Sequence, residues 1–187
     1  MKKILVINGS PLKNGNTAKI LNQMMKGISE SLNSDVCFHE YNLEEINFEG
    51  CNECMDCRET FACSLDDDMS EILEELKEAD YLIFGTPIFM WQITGQAKCF
   101  IDRLYPVISN DFKTRLSDIA TITVYTQANP DKNAFINYIS HNNEVLDFLG
   151  LNVIDTLIVG GLNEQNPAEK HVYALEKAYH LGKKLIK

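Results

Sequence analysis

Short runs of apolar and β-branched residues alternate with segments of helical periodicity along this chain, and this alternation restricts the fold more than any other feature. The apolar runs occupy residues 3–8, 35–41, 80–85, 119–125 and 153–159. The helical patterns occupy residues 17–32, 69–76, 96–107 and 132–149, and another begins near residue 167. Buried strands joined by crossover helices predict an α/β, three-layer, doubly wound fold with a five-stranded parallel sheet. We predict the strand order 2-1-3-4-5, with ligands at the carboxyl edge of the sheet.

Composition and charge exclude several classes of protein. The chain has 187 residues and a net charge of −10, and it has no basic stripe, so nucleic acid is not an expected partner. No stretch approaches the roughly 20 apolar residues that span a bilayer, and the first apolar run is too short for a secretory signal. We therefore predict one domain over residues 1–187, in the cytoplasm and away from the membrane. In that compartment thiols stay reduced and bind metals or do redox chemistry.

The first apolar run is followed by a glycine-rich turn, GSPLKNGNT, and a helix begins where the turn ends. Backbone N–H groups at a helix start favour anions, and Ser10, Asn16 and Thr17 add neutral donors that suit an acidic protein. The glycine spacing fits neither a P-loop nor a dinucleotide fingerprint. The alternative is a plain connection in which Gly15 takes a positive φ and Asn16 or Thr17 caps the helix.

The third apolar run leads into a second candidate loop, TPIFMW, at residues 86–91. Two aromatic side chains and a methionine at an exposed sheet edge would form an apolar wall on which a tricyclic ring could stack. The alternative is that these side chains belong to the core. In the predicted strand order the two loops are neighbours. One ligand with a phosphate and a ring could therefore occupy both loops, which favours the two interpretations together.

Four cysteines lie close together in the segment CNECMDCRETFAC: Cys51, Cys54, Cys57 and Cys63. The pattern C-x2-C-x2-C-x5-C is a spacing that ligands of an iron-sulfur cluster use, and all four would serve one centre. The alternatives are a zinc site, a thiol–disulfide switch on one CxxC pair, or a site that is vacant in the purified protein. We predict that Cys37 and Cys99 are buried apolar packing residues instead.

Two further pairs of polar residues receive structural roles. Asp68 follows two other aspartates and precedes a helical pattern, so we predict that it is an N-cap, with Glu71 completing a capping box. Asp102 and Arg103 lie near the end of the helix that follows the second loop. We predict that they form a structural or subunit-interface pair.

The turn GSPLKNGNT, the loop TPIFMWQITGQAKCFIDR and the run DDDM together resemble the flavodoxin-like NAD(P)H-dependent FMN reductases, specifically the iron-sulfur flavoproteins. The resemblance covers essentially the whole chain and implies FMN, with its phosphate held by Ser10, Asn16 and Thr17 and its isoalloxazine bordered by residues 87–91. The third cofactor loop departs from the family, because Thr126-Gln127-Ala128 replaces paired glycines. The predicted FMN contacts are Ser10, Pro11, Asn14, Gly15, Asn16, Thr17, Pro87, Ile88, Phe89, Met90, Trp91 and Thr126.

The same resemblance implies that the cysteine loop at residues 50–66 holds a 4Fe-4S cluster, and that the cluster of one subunit approaches the FMN of another in a homodimer or homotetramer. The electron donor would be NAD(P)H or a ferredoxin, and no side chain need act as a catalytic acid, base or nucleophile. Two alternatives stay open. One is a cluster-free NAD(P)H-dependent flavin or quinone reductase, and the other is a non-enzymatic electron carrier or redox sensor.

Overall fold

The computed structural model describes residues 1–31 and 35–186, and it contains a mixed β-sheet between helical layers. Its strands are β1 (Lys2–Asn8), β2 (Val36–Asn42), β3 (Tyr81–Phe89), β4 (Gln92–Ile93), β5 (Ala120–Thr126) and β6 (Val153–Val159). The parallel strands run in the order β2-β1-β3-β5-β6, and the short β4 pairs antiparallel with β3. The predicted doubly wound order is confirmed. The sequence gives no sign of β4 because two residues carry no periodicity.

The helices are α1 (Asn16–Ser31), α2 (Met69–Glu78), α3 (Gly95–Asp102), α4 (Ile136–Phe148) and α5 (Val172–Leu185). The helix predicted at 96–107 is interrupted: α3 ends at Asp102, and a separate 3-10 turn covers Tyr105–Val107. Pro106 lies in that turn and has no N–H with which to continue an α-helix. Leu32, the predicted end of the first helix, and Lys187 lie outside the described residues. None of the helices in the described ranges has the length and apolar content needed to cross a bilayer.

The two faces of the sheet carry separate hydrophobic cores, because successive side chains of a strand point to opposite faces. On β1, Leu5 and Ile7 belong to the core that includes residues of α2, α3 and α4. Ile4 and Val6 belong to the core that includes residues of α1 and α5. The parallel strands are therefore covered on both faces, as the continuous apolar runs predict.

Helices α1 and α5 pack closely through two buried glycines. A Cβ atom on Gly27 would collide with the backbone carbonyl of Tyr179, and one on Gly182 would collide with the carbonyl of Met24. Only glycine permits this approach at both positions. The contact fixes α1 against the sheet, with its N-terminus at the carboxyl end of β1.

Asp68 occupies the N-cap position of α2, as predicted, but the predicted capping box is absent. The side chain of Asp68 makes no capping hydrogen bond, and its Oδ2 instead accepts from the backbone N–H of Asn47 at 2.6 Å. Glu71 accepts from the hydroxyl of Tyr41 at 2.8 Å rather than completing a capping box. Asp67 Oδ1 accepts from the first N–H of α2 at 3.2 Å. The donors to Asp68 and Glu71 therefore come from β2 and the connection after it. A local sequence motif cannot reveal donors that lie so far away in the chain.

Candidate functional site

Side-chain hydrogen bonds shape the turn that follows β1. The buried Asn8 accepts from the N–H of Ser10 at 3.1 Å, and Ser10 Oγ accepts from the N–H of Leu12 at 3.1 Å. Gly9 lies against α3, where an added Cβ would come within 2.9 Å of the Ala97 side chain. Gly15 has no positive φ, so its predicted turn conformation is wrong. An added Cβ there would instead come within 2.8 Å of the Leu12 side chain.

The first two residues of α1 make long-range contacts. Asn16 Oδ1 accepts from the N–H of Ala168 at 2.9 Å, and Thr17 Oγ1 lies 2.7 Å from Thr126 Oγ1 in a buried pair. Their side chains therefore bond to distant segments instead of capping α1. The Thr17–Thr126 contact also brings the loop after β5 to the first loop.

A cleft, called the edge cleft below, opens where β1, β3 and β5 end. Its lining residues are Ser10, Leu12, Asn16, Thr17, Pro87, Ile88, Phe89, Thr126, Gln127, Ala128 and Leu162. None of these residues carries a charge, although the whole chain has a net charge of −10. Any anion in the edge cleft would therefore meet amides and hydroxyls rather than ammonium or guanidinium groups.

The edge cleft brings together seven of the twelve predicted contact residues. The other five do not line the edge cleft: Pro11, Asn14, Gly15, Met90 and Trp91. Asn14 lines a separate depression together with Asn8 and Asn42. The sequence does not predict contacts at Leu12, Ala128 or Leu162, because the loops that contain them place these residues in the edge cleft without a recognisable contact motif.

Gln127 is a further lining residue that the sequence did not identify as a contact. It is buried, and its amide nitrogen donates to the carbonyls of Asn129 at 3.1 Å and Asp131 at 2.7 Å. Within residues 1–31 and 35–186, nothing donates a hydrogen bond to Gln127 Oε1. A buried acceptor of this kind is costly to leave unpaired, so it is a candidate contact for a ligand N–H group.

A tight hairpin between β3 and β4 places an apolar surface beside the edge cleft. The exposed fractions of Phe89, Met90 and Trp91 are 51%, 83% and 68%. Met90 and Trp91 both have left-handed backbone, with φ of 45° and 68°. Residues other than glycine adopt this conformation at a cost in free energy. The ring of Phe135 meets Trp91 edge to face, with centroids 6.5 Å apart. These three side chains are thus a surface feature rather than part of the core.

The cysteine loop, residues 50–66, is irregular apart from a 3-10 turn at Asp56–Arg58. All six cysteines of the chain are free thiols. Cys51 and Cys54 are exposed, Cys57 is buried and Cys63 is half-buried. Cys37 and Cys99, predicted to be buried, are both half-buried.

All four cysteines of the loop line a single cavity of ≈ 370 Å³, called the cysteine cavity below. Its other walls come from the end of α3, the turn after it and the end of α4, at residues 101–106 and 145–149. Burial raises the pKa of the Cys57 thiol, and the negative charge of Cys63, Cys51 and Cys54 as thiolates raises it further. All four thiols of the loop thus border the same space.

The thiols surround a space instead of converging on a point. In the ranges that the structure describes, no three His, Cys, Asp or Glu side chains lie close enough together to hold a single metal ion. A tetrahedral zinc ion needs every sulfur at about 2.3 Å from the metal. Four thiolates are also the donor set that a 4Fe-4S cluster uses, so the residues that line the cysteine cavity fit such a cluster by their chemistry.

Arg103 brings a buried cation to the wall of the cysteine cavity. Its guanidinium donates two hydrogen bonds to Asp67, at 2.6 and 2.7 Å, and one to the carbonyl of Glu49 at 2.7 Å. Asp102 pairs with Lys98 and Arg103 with Asp67, so each residue has a structural contact, as predicted, although the two do not pair with each other. The side chain of Arg103 is fully buried, and among the described residues its Nε meets no hydrogen-bond acceptor.

Arg115 ties the cysteine loop to the rest of the protein. Its guanidinium donates to the carbonyls of Cys57 at 3.2 Å, Arg58 at 2.5 Å and Thr60 at 2.5 Å. It also donates to the carbonyl of Pro106 at 2.8 Å. One side chain thus fixes three loop residues against the turn after α3, and no local sequence signal identifies it.

Comparison with solved structures defines the class of protein. An FMN-dependent NADH-azoreductase from Bacillus anthracis, crystallised in complex with FMN, superimposes with a TM-score of 0.77 over 100% of both chains. The sequence identity is 15%, so this likeness concerns the fold. The fold is flavodoxin-like.

Sequence comparison identifies the family. Residues 2–160 match the family described as NADPH-dependent FMN reductase. An iron-sulfur flavoprotein of Clostridioides difficile is 34% identical over 184 residues, covering 98% of this chain and 77% of that protein. One of Methanosarcina thermophila is 29% identical over 185 residues, covering 98% and 93%. The chain belongs to the NADPH-dependent FMN reductase family, in its iron-sulfur flavoprotein branch, and is a flavin-dependent oxidoreductase.

Proposed function

We propose that this chain binds FMN in the edge cleft and exchanges electrons between FMN and a 4Fe-4S cluster in the cysteine cavity. The observation that carries the proposal is the joint placement of all four loop cysteines around one cavity, beside the buried guanidinium of Arg103. Membership of the FMN reductase family supplies the flavin half of the proposal.

The edge cleft has the donors that an FMN phosphate needs. The start of α1 presents backbone N–H groups and the positive end of a 16-residue helix, next to Ser10, Asn16 and Thr17. Pro11, Asn14 and Gly15 complete this loop in the proposal. Neutral donors bind a phosphate here without lysine, which agrees with the uncharged lining.

The ring end of the proposed FMN site uses the hairpin and the loop after β5. Pro87 and Ile88 line the edge cleft beside Phe89, and Met90 and Trp91 extend the apolar surface into solvent. On the opposite side, the unpaired Oε1 of Gln127 would accept a hydrogen bond from a ring N–H, next to Thr126.

When bound, FMN takes a hydride or two electrons and releases them singly, and a 4Fe-4S cluster carries one electron at a time. The protein contributes position and charge. Cys51, Cys54, Cys57 and Cys63 would be the ligands, and Arg103 would offset part of the negative charge that four thiolates bring into the cavity. Arg115 holds the loop in place before any ligand is bound.

The two sites have no lining residue in common. We therefore propose a homodimer or homotetramer in which the cysteine cavity of one subunit faces the edge cleft of another. Exposed apolar side chains at the rim of the cysteine cavity, Met55 and Phe148, support such a contact. The electron donor would be NAD(P)H or a ferredoxin in the cytoplasm, and the whole chain would act as one domain.

A second candidate function is a cluster-free NAD(P)H-dependent flavin or quinone reductase. The observation that favours it is that the family match over residues 2–160 is described as NADPH-dependent FMN reductase, which names a flavin and no cluster. Iron, sulfide and zinc analysis of anaerobically purified protein, together with its visible spectrum, separates the two candidates. The proposed function requires iron and sulfide, and a protein with flavin but neither element supports the second candidate.

The flavin half is tested by Asn16→Asp. Aspartate keeps the acceptor for the Ala168 N–H and is favoured at a helix N-terminus, so the fold should be retained. The new carboxylate would lie next to the FMN phosphate, where like-charge repulsion of about 3 kcal/mol lowers FMN affinity about 100-fold. Fluorescence titration with FMN measures the affinity.

Asn22→Asp is the matched control, because Asn22 is an exposed residue of the same helix and receives the same charge away from the edge cleft. It should retain the affinity of the unaltered protein within about twofold, since exposed charges at a distance are screened. Equal FMN affinity of the Asn16→Asp protein and its control would refute the phosphate assignment.

A further inference from the structure

A second group of chemically reactive side chains lies away from the edge cleft and the cysteine cavity, between β2 and α2. Cys37 and His39 are two residues apart on β2, so their side chains share one face of the sheet. They pair in register with Lys3 and Leu5 of β1, and Leu5 belongs to the core beneath α2. Glu75 of α2 packs over this face.

Contacts between these residues form a row that ends at a thiol. Cys37 Sγ lies 3.2 Å from His39 Nε2, and His39 Nδ1 lies 3.0 Å from Glu75 Oε2. An imidazole between a thiol and a carboxylate is the arrangement that activates a nucleophilic cysteine, because the carboxylate orients the ring and the ring takes the thiol proton. Cys37 is half-buried, and the side chains of His39 and Glu75 beside it are 30% and 19% exposed, so a small reagent has access.

The charges that face the thiol come from three elements. Lys3 of β1 lies 2.6 Å from Glu75 and 2.9 Å from Glu78, and both carboxylates belong to α2. Hydrogen bonds to Glu75 and Glu78 raise the pKa of Lys3, which therefore stays cationic at neutral pH. Lys3 therefore places a cation at the two glutamates beside His39.

We propose that Cys37 is a modification site, a nucleophilic thiol that small hydroperoxides oxidise to a sulfenic acid. His39 takes the thiol proton, and the thiolate sulfur attacks the terminal oxygen of the hydroperoxide. The O–O bond breaks, the hydroxyl group is transferred to sulfur, and the leaving alkoxide or hydroxide takes the proton from His39. Sulfur loses two electrons, and the hydroperoxide is reduced to an alcohol or water. Glu75 acts as a positioning residue.

Peptide-resolved mass spectrometry after brief exposure of the cofactor-loaded protein to hydrogen peroxide and dimedone tests the proposal. Cys99 is the internal control, because it is also half-buried but lies on α3. At pH 7, Cys37 should be trapped about tenfold faster than Cys99 in the same sample, a modest effect for general-base assistance. This comparison requires no variant, so it stands whether or not a substituted protein folds.

Two substitutions identify the cause of the reactivity. His39→Gln should slow the trapping of Cys37 to the rate of Cys99, and Glu75→Gln should give an intermediate rate, while flavin content stays unchanged in both. A Cys37 rate no higher than that of Cys99 would overturn the proposal. So would an unchanged Cys37 rate in a folded His39→Gln protein, because His39 would then serve only to link β2 to α2.

Discussion

The edge cleft and the cysteine cavity belong to the same chain, but different interactions hold them in place. The edge cleft forms where three parallel strands end and α1 begins, and backbone geometry sets most of its shape. The cysteine loop has almost no regular structure, and long side chains fasten it: Arg103 through Asp67, and Arg115 through backbone carbonyls. A site built on strand ends should tolerate single substitutions, whereas a loop fastened by two guanidinium groups should not.

The conformational strain in the two regions differs as well. In the hairpin beside the edge cleft, Met90 is exposed and has left-handed backbone. Among the described contacts, its side chain makes no hydrogen bond that would offset this strain. In the cysteine loop, Glu53 and Met55 are also left-handed, but Arg115 stabilises the following turn. Substitutions should therefore lower stability in the cysteine loop and raise it at the hairpin.

The largest effect should come from the Asp67–Arg103 pair. Asp67→Asn leaves a fully buried guanidinium without its counter-charge, so the free energy of unfolding should fall by about 3–5 kcal/mol. Urea denaturation at pH 7 measures the change. Asp66→Asn, at the exposed neighbouring position, should change the free energy by no more than about 0.5 kcal/mol. Equal stability of the two variants would mean that the pair does not hold the loop.

The stabilisation that the Asp67–Arg103 pair provides depends on pH. Burial alone would raise the pKa of Asp67, but the Arg103 hydrogen bonds and two backbone N–H groups hold that pKa below its ordinary value. Because the folded-state pKa is depressed, the stabilisation is complete above the ordinary aspartate pKa of about 3.9 and is lost as pH falls through the folded value. The stability difference between the unaltered protein and Asp67→Asn should shrink over that acid range.

An intermediate effect is expected at Arg115. Arg115→Met removes the donor to four carbonyl groups, but water can reach some of them, so the free energy of unfolding should fall by about 2 kcal/mol. Hydrogen exchange at residues 56–60 should accelerate, while FMN content is unchanged because the edge cleft does not depend on this loop. Lys113→Met is the control, since Lys113 is 79% exposed. Loss of FMN together with loop protection would contradict the independence of the two regions.

The sequence predicts the edge cleft better than the cysteine loop, for a physical reason. Strand order follows from local apolar periodicity, and parallel strand ends then bring Ser10 and Thr126 to one edge. The cysteine spacing is equally local. The partners that hold the loop are not local: Asp67 and Glu49 lie 36 and 54 residues from Arg103, and the cysteine-loop carbonyls lie 55–58 residues from Arg115. A guanidinium that reaches such distant partners leaves no periodic pattern.

The smallest effect, and the one of opposite sign, is expected at the hairpin. Met90 is 83% exposed with φ of 45°, a conformation that asparagine tolerates better than methionine. Met90→Asn should raise the free energy of unfolding by about 0.5–1 kcal/mol. It should also weaken FMN binding about threefold, because part of the apolar surface beside the edge cleft is lost. Urea denaturation and FMN titration measure the two changes.

Phe112→Asn separates the two parts of that prediction. Phe112 is also left-handed, with φ of 58°, and is 64% exposed, but it stacks on Arg58 of the cysteine loop and not beside the edge cleft. Its substitution should leave FMN affinity unchanged, so a threefold loss confined to Met90→Asn ties the hairpin surface to the flavin. If Met90→Asn gains stability without losing affinity, the left-handed turn has no role in FMN binding, and Trp91 and Phe89 alone would form the wall.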